Sequence, residues 1–337
     1  MKREALLYDK LSESRVQCRT CLRRCVIPEG KAGWCRTRIN EEGNLYTLIY
    51  GEVSSLSVNP IEKKPVFHFL PGSRWLSLGS VGCNFRCPGC QNWEIAHWKE
   101  TGPMGTFYLS PQEQVKMALA RGCLGLSWTF NEPTLWFEYT LDSARIAKEA
   151  GLFTNYVTNG FITVEAFDLL APFVDVYRVD IKGFSAITYR KVANTPDFKP
   201  LLRTVEKAGR EGIHVELVTN IIPGWNDDTR ELAALAAWIR DDLGPDTPWH
   251  ITRFFPHCKL TRVPLTPVST LERAKEIGME AGLRYVYIGN VPGHEGENTH
   301  CHNCGIILIR RYVFDVLDNR IREGRCPRCN TIIPGRF

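Results

Sequence analysis

The 337-residue chain lacks any apolar run near the about 20 residues that cross a bilayer, which excludes a membrane-spanning helix. Its first residues hold no h-region of a signal peptide, so a cytoplasmic protein is expected. Charge of one sign is scarce too. The 42 basic and 37 acidic residues leave a net +5, too mild to demand or exclude an anionic partner. Long repeats and low-complexity tracts are missing, which removes solenoids and flexible linkers. Cysteine makes up 13 of the 337 residues, far below the about 8–10% of a small disulfide scaffold.

What remains is an ordinary globular composition, 44% hydrophobic and 23% charged, in a length that suits roughly two domains. The cysteines are grouped. Four stand at 18, 21, 25 and 35, three at 83, 87 and 90, and four at 301, 304, 326 and 329. In a cytoplasmic chain such short spacings read as metal ligands rather than disulfides. The lone Cys123 and Cys258 read as buried filler.

Three regions follow from this pattern. Residues 1–70 hold the first cysteine group and short strand-like pieces, and residues 291–337 form a Cys/His-rich tail. Between them, residues 71–290 alternate apolar strands (75–79, 124–129, 153–157, 174–181, 215–222, 249–255, 285–288) with amphipathic helices. This α/β alternation predicts a parallel sheet with helices outside it, in a complete or partial TIM-like β/α barrel.

The segment Gly82-Cys83-Asn84-Phe85-Arg86-Cys87-Pro88-Gly89-Cys90 directly follows the first predicted strand of that barrel, where catalytic loops lie. Composition alone predicts about 0.02 occurrences of Cys-x3-Cys-x2-Cys in such a chain. Three thiolates without a fourth local ligand suit an iron–sulfur cluster with one iron left open. The alternative is structural zinc completed by a distant ligand.

These residues resemble the radical S-adenosylmethionine (SAM) enzymes. More narrowly, they resemble the radical SAM enzymes of the AmmeMemoRadiSam system, relatives of the pyruvate formate-lyase activating enzymes. The resemblance runs through Asn59-Pro60-Ile61-Glu62-Lys63-Lys64-Pro65, Thr129-Phe130-Asn131-Glu132-Pro133, Thr158-Asn159-Gly160-Phe161, Asp180-Ile181-Lys182-Gly183 and Pro223-Gly224-Trp225-Asn226-Asp227. It implies a [4Fe–4S] cluster on Cys83, Cys87 and Cys90 whose open iron chelates SAM. One electron from a flavodoxin- or ferredoxin-type donor would yield a 5′-deoxyadenosyl radical that takes hydrogen from a protein or small-molecule substrate. Such enzymes usually place an aromatic residue between the last two cysteines to help hold adenine. Pro88 stands there instead, which leaves Phe85 or Trp93 for that contact.

Later strand ends supply the rest of the expected SAM pocket. Glu132, beside Asn131, suits the SAM ammonium. Asp180 and Lys182 share one strand face, offering a carboxylate to ribose hydroxyls and an ammonium to the SAM carboxylate. Asn159 and Asn220 end further strands, and His257 lies one residue from where related activating enzymes contact SAM. Each has a plainer reading as a turn, a salt bridge, a strand cap or a surface histidine.

The tail carries two Cys-x2-Cys knuckles, Cys301/Cys304 and Cys326/Cys329, at zinc-ribbon-like spacing, with a rubredoxin-like or auxiliary iron site as the alternative. Its place after the last strand predicts that it covers the barrel mouth or docks a partner. For Cys18, Cys21, Cys25 and Cys35 zinc is the first reading and an auxiliary iron–sulfur cluster the second. Arg310, Arg311, Arg320, Arg322, Arg325 and Arg328 support a competing function, an RNA-modifying radical SAM enzyme that grips nucleic acid through its tail. A third reading makes every cysteine group structural zinc in an RNA-binding scaffold.

Overall fold

The computed structural model describes residues 1–98, 105–195 and 197–337. At its centre lies one eight-stranded sheet, with strands β1 (Ser55–Pro60), β2 (Arg74–Gly79), β3 (Gly125–Trp128) and β4 (Phe153–Thr158), then β5 (Val176–Asp180), β6 (His214–Ile221), β7 (Trp249–Arg253) and β8 (Val286–Gly289). They lie side by side in chain order. Strands β2 to β8 run parallel, and β1 pairs antiparallel with β2. The helices α1 (Pro111–Ala120), α2 (Phe137–Glu149), α3 (Val164–Leu170), α4 (Ala186–Ala193), α5 (Lys199–Arg210), α6 (Thr229–Trp238) and α7 (Val268–Glu280) connect them. The predicted βα alternation is therefore present, as an open sheet. Among the described residues no pairing of β8 with β1 closes it into a barrel.

Local chemistry sets these elements. Helix α1 starts at Ser110, whose hydroxyl accepts from the Glu113 amide while Glu113 reaches back, with Pro111 at the first helical position. Strand β3 is buried along its whole length, as expected for a parallel strand covered on both faces. Tyr177 meets Phe167 of α3 at 5.2 Å between ring centroids, which marks the helix-facing side of the sheet. Alternation places Ser57, Ser77, Ser127 and Asn155 in register across the other side, with Arg178 opposite Glu216 further along. That face is polar.

The N-terminal ends of the strands are sealed by residues 61–72. Glu216 accepts from the backbone amides of Phe67 (2.9 Å) and His68 (2.8 Å) and pairs with His250 (2.6 Å) and His214 (2.8 Å). The tail, a three-stranded antiparallel sheet of Thr299–His300, Ile307–Tyr312 and Asp315–Asn319, docks on this plug. Arg336 bridges to Phe69, and Arg311 donates to the Phe67 carbonyl at 2.9 Å. Phe69 in turn packs on Trp75, Phe153 and Val176 at the strand starts. The expected cover for the catalytic mouth thus lies at the opposite end, because its apolar strands find their partner in the plug. No described helix is long and apolar enough to cross a membrane.

Residues 1–53 form small antiparallel sheets that join the main core through Cys35, Ile49 and Val53. Arg38 is the anchor. Its guanidinium donates to both oxygens of Glu138 on α2 at 2.9 and 2.7 Å, with both side chains buried. Glu138→Ala would leave that guanidinium buried and unpaired, so urea unfolding should show a loss of about 3–5 kcal/mol. A loss below about 1 kcal/mol would show that the N-terminal region is held by other contacts.

Candidate active site

The three central cysteines sit on the connection after β2, which has no strand or helix between Gly79 and Trp93. Such a buried stretch must satisfy its backbone through side chains. Asn131 accepts from the Ser80 amide (3.0 Å) and donates to the Gly82 carbonyl (3.1 Å). Arg86 donates to the carbonyls of Cys83 (2.7 Å) and Phe85 (3.0 Å). Gly82 turns with φ +85°, and a Cβ there would fall 2.6 Å from Thr37 Cγ2, so only glycine fits. Asn84 is buried, donating to the Phe161 carbonyl (3.1 Å) and accepting from Asn159 Nδ2 (2.7 Å).

Glu132 completes this lattice. Its carboxylate is 2% exposed and accepts from the Thr134 amide (3.0 Å), the Thr158 hydroxyl (2.7 Å) and the Asn159 amide (2.8 Å). Burial raises its pKa while these three donors oppose the rise. Asn159 thereby holds Asn84 and stands 3.8 Å from Cys83 Sγ.

Burial pushes the free thiols of Cys83 up to about 12, Cys87 to about 11 and Cys90 to about 12. Cationic iron must replace those protons for the thiolates to form. No third ligand atom completes a single-ion set here: among the described residues, groups of His, Cys, Asp or Glu ligand atoms within 4.8 Å of one another occur only in the tail. Three separate thiols without a fourth partner fit a cluster with an open iron better than a closed zinc site.

Asp180 pairs with Arg178 and, at 3.1 Å, with Lys182. Burial would raise the Asp180 pKa, but the two cations outweigh it and hold the carboxyl below its usual range. Burial likewise opposes charge on Lys182, yet Asp180 and then Cys87 raise its pKa. Asn220 donates to the Thr252 carbonyl (3.2 Å) and hydroxyl (3.1 Å) at the end of β6. His257 lies on the turn after β7, whose Lys259 amide donates to the Pro88 carbonyl at 2.8 Å. Asn131, Asn159 and Lys182 thus lie close to the Cys83 loop, as does the turn that carries His257.

One adenine candidate is corrected. Phe85 is 1% exposed, against Phe161 (5.1 Å) and Tyr189 (6.4 Å) in the core, so it faces no pocket. Trp93 is half-exposed. At Gly89 a Cβ would meet Phe254 and Leu260 at 3.1 Å, so these two fill the space a side chain there would take. Cys123 is buried as expected, whereas Cys258 is only half-buried.

Three residues escaped the sequence reading. Asn84 and Arg178 carry no local signature. Lys64 lies in the quoted 59–65 motif but reads there as a solvated linker cation. It is 3% exposed, donates to Asn59 Oδ1 at 3.1 Å and stands 4.9 Å above the Phe130 ring. Burial, then Lys63 and Arg178, holds its pKa down to about 7.

In the tail, Cys301 and Cys329 place their sulfurs 3.5 Å apart, and Cys304 and Cys326 3.6 Å apart. All four ligand atoms lie within 4.8 Å of one another. Tetrahedral zinc with bonds of about 2.3 Å sets its sulfurs about 3.8 Å apart, so the four fit a single ion. The four N-terminal cysteines line a cavity beside Asn84.

Comparison with known proteins agrees with this geometry. The radical SAM superfamily model matches residues 78–236, from the end of β2 to α6. A Methanocaldococcus jannaschii protein named "Uncharacterized protein MJ0808" is 45% identical over 331 residues, covering 97% of each chain. The chain belongs to that protein's family, within the radical SAM superfamily. Pyruvate formate-lyase 1-activating enzyme of Escherichia coli K12 is 24% identical over 176 residues, 51% of this chain and 70% of the enzyme. The crystal structure of a radical SAM methyltransferase from Sphaerobacter thermophilus shares the fold over 68% of this chain and 71% of that one, with TM-score 0.50 and 20% identity.

Two predictions follow from the lattice and the lysine. Glu132→Gln replaces an acceptor by an amide donor facing three donors, costing about 1–3 kcal/mol. Iron content and urea stability should fall, while SAM affinity of the loaded fraction stays within about twofold. Unchanged iron with weakened SAM binding would instead make Glu132 a direct SAM contact.

Unfolded Lys64 keeps its proton to about 10.5 and the folded side chain releases it near 7. The unfolded state binds more protons across that window, so stability rises with pH through it. Lys64→Met should therefore stabilise the protein at about pH 6, with the gain fading by about pH 10. A gain independent of pH would contradict a protonated lysine as its cause.

Proposed function

We propose that the protein is a SAM-cleaving oxidoreductase of the AmmeMemoRadiSam type, akin to the glycyl-radical (pyruvate formate-lyase) activating enzymes, that abstracts hydrogen from a protein or small-molecule substrate. The observation that carries this reading is the set of three half-buried thiols on the loop after β2, which do not converge on a single-ion site. When bound, a [4Fe–4S] cluster with SAM supplies one-electron cleavage of SAM to methionine and a 5′-deoxyadenosyl radical.

The chain's own residues then have distinct tasks. Cys83, Cys87 and Cys90 hold three irons. Asn131, Glu132 and Asn159 position the loop without touching the reacting atoms. Lys182, kept protonated by Asp180, meets the SAM carboxylate, and Asp180 faces the ribose. Asn220 and His257 line the far side, and the buried strand ends keep water from the radical. The reductant is a one-electron donor of flavodoxin or ferredoxin type. The tail cysteines hold one structural zinc ion.

Four of the six tail arginines are engaged by the protein itself, which weighs against the nucleic-acid reading, while Arg310 and Arg328 are exposed. Arg311 is buried, Arg320 pairs with Asp318 at 2.6 Å, and Arg322 and Arg325 donate to backbone carbonyls of the tail itself.

Under strict anaerobiosis, with SAM and a strong reductant, the protein should release 5′-deoxyadenosine and methionine. Single Cys83→Ala, Cys87→Ala and Cys90→Ala variants should each lose this by more than about a hundredfold, because removing one ligand strips or reshapes the cluster. Full cleavage by any of the three would remove that residue from the cluster.

A further inference from the structure

The four N-terminal cysteines are not used by the reaction proposed above. Cys18 closes strand Val16–Cys18, and its amide donates to the Cys25 carbonyl at 3.0 Å, which folds the first three cysteines together. Cys35 arrives from the next turn, with the Thr37 hydroxyl 3.3 Å from its sulfur. Cys18, Cys21 and Cys35 are buried. All four line one small, mainly apolar cavity that is open in part to solvent.

The spread of the sulfurs is informative. The tail cysteines converge within 4.8 Å of one another, as four ligands of a single ion must. Among the described residues no three N-terminal thiols do so, although they ring a common cavity. Cys83, Cys87 and Cys90 show the same wider spread. In a four-iron cluster each thiolate sits on its own iron, so its ligands stand further apart than those of one zinc ion. Four thiols that ring one cavity without converging on a point suit such a cluster better than a single ion.

The cavity also adjoins the catalytic loop. Asn84, next to Cys83, forms part of its wall. Arg23 donates to the Asn84 carbonyl at 2.5 Å, and Arg86 donates to the Trp34 carbonyl at 2.9 Å. We propose that Cys18, Cys21, Cys25 and Cys35 hold a second [4Fe–4S] cluster beside the loop that carries the first. With four protein thiolates it has no open iron, so it exchanges electrons and binds neither SAM nor substrate. The inference rests on the radical SAM reading only for the identity of the neighbouring cluster.

The test is metal and sulfide analysis of the anaerobically prepared wild-type chain, joined to electron paramagnetic resonance of the reduced protein with and without SAM. Two clusters predict about eight irons and eight sulfides, and the tail adds about one zinc. Only one of two cluster signals should respond to SAM. Cys18→Ser combined with Cys21→Ser should halve the iron and keep the SAM-responsive signal. About four irons with about two zincs in the wild type would overturn the proposal, and that count does not depend on how the variant folds. Failure of the radical SAM reading would look different: no signal would respond to SAM, whatever the iron count.

Discussion

A loop that must present three thiols to one cofactor cannot hold itself, and most of the structure around the candidate site answers that constraint. Between Gly79 and Trp93 there is no regular hydrogen-bond ladder. Asn131, Asn84, Arg86 and Asn159 supply the missing partners, and Glu132, which accepts three hydrogen bonds in the interior, holds the Asn159 backbone amide by one of them. An unpaired donor or acceptor at this depth would cost about 1–3 kcal/mol, so each such side chain removes a way for the loop to relax. The parallel sheet matters because it brings the ends of β3, β4, β5 and β6 to the same rim, where these side chains can reach one another.

Charge is distributed to suit the same loop. Three thiolates on this loop would bring negative charge into a poorly solvated place, and cations stand near it. Lys182 interacts with Cys87, while Arg23 and Arg86 lie close to Cys83. Burial lowers the pKa of both arginines, and the thiolates oppose that fall. At the other end of the sheet, Glu216 between two histidines and two backbone amides closes the floor. The tail secures that floor rather than covering the other end, which separates its four cysteines from the Cys83 loop.

Much of this was legible in the sequence where local chemistry decides. Strands 75–79 and 153–157 were expected within a residue of Arg74–Gly79 and Phe153–Thr158, because burial periodicity is local. The spacing of Cys83, Cys87 and Cys90 was likewise enough to predict a cluster. Strand β1 was missed although Ser55-Leu56-Ser57-Val58 alternates with period two, since its Pro60 end reads as a connector. Phe85 was offered beside Trp93 for adenine because Pro88 replaces the usual aromatic, and only the packing of Phe161 and Tyr189 shows it to be core. Asn84 reaches Phe161 across 77 positions and Arg178 reaches the Lys64 carbonyl across 114, contacts that no local pattern encodes.

The central claim is that the Cys83 loop holds a cluster whose open iron binds SAM. Electron–nuclear double resonance on the reduced, anaerobic protein with SAM carrying ¹⁵N in its amino group tests it most directly. The account predicts a ¹⁵N hyperfine coupling to one cluster, lost in the Cys87→Ala variant. Bound SAM that shows no coupling to any cluster would contradict it.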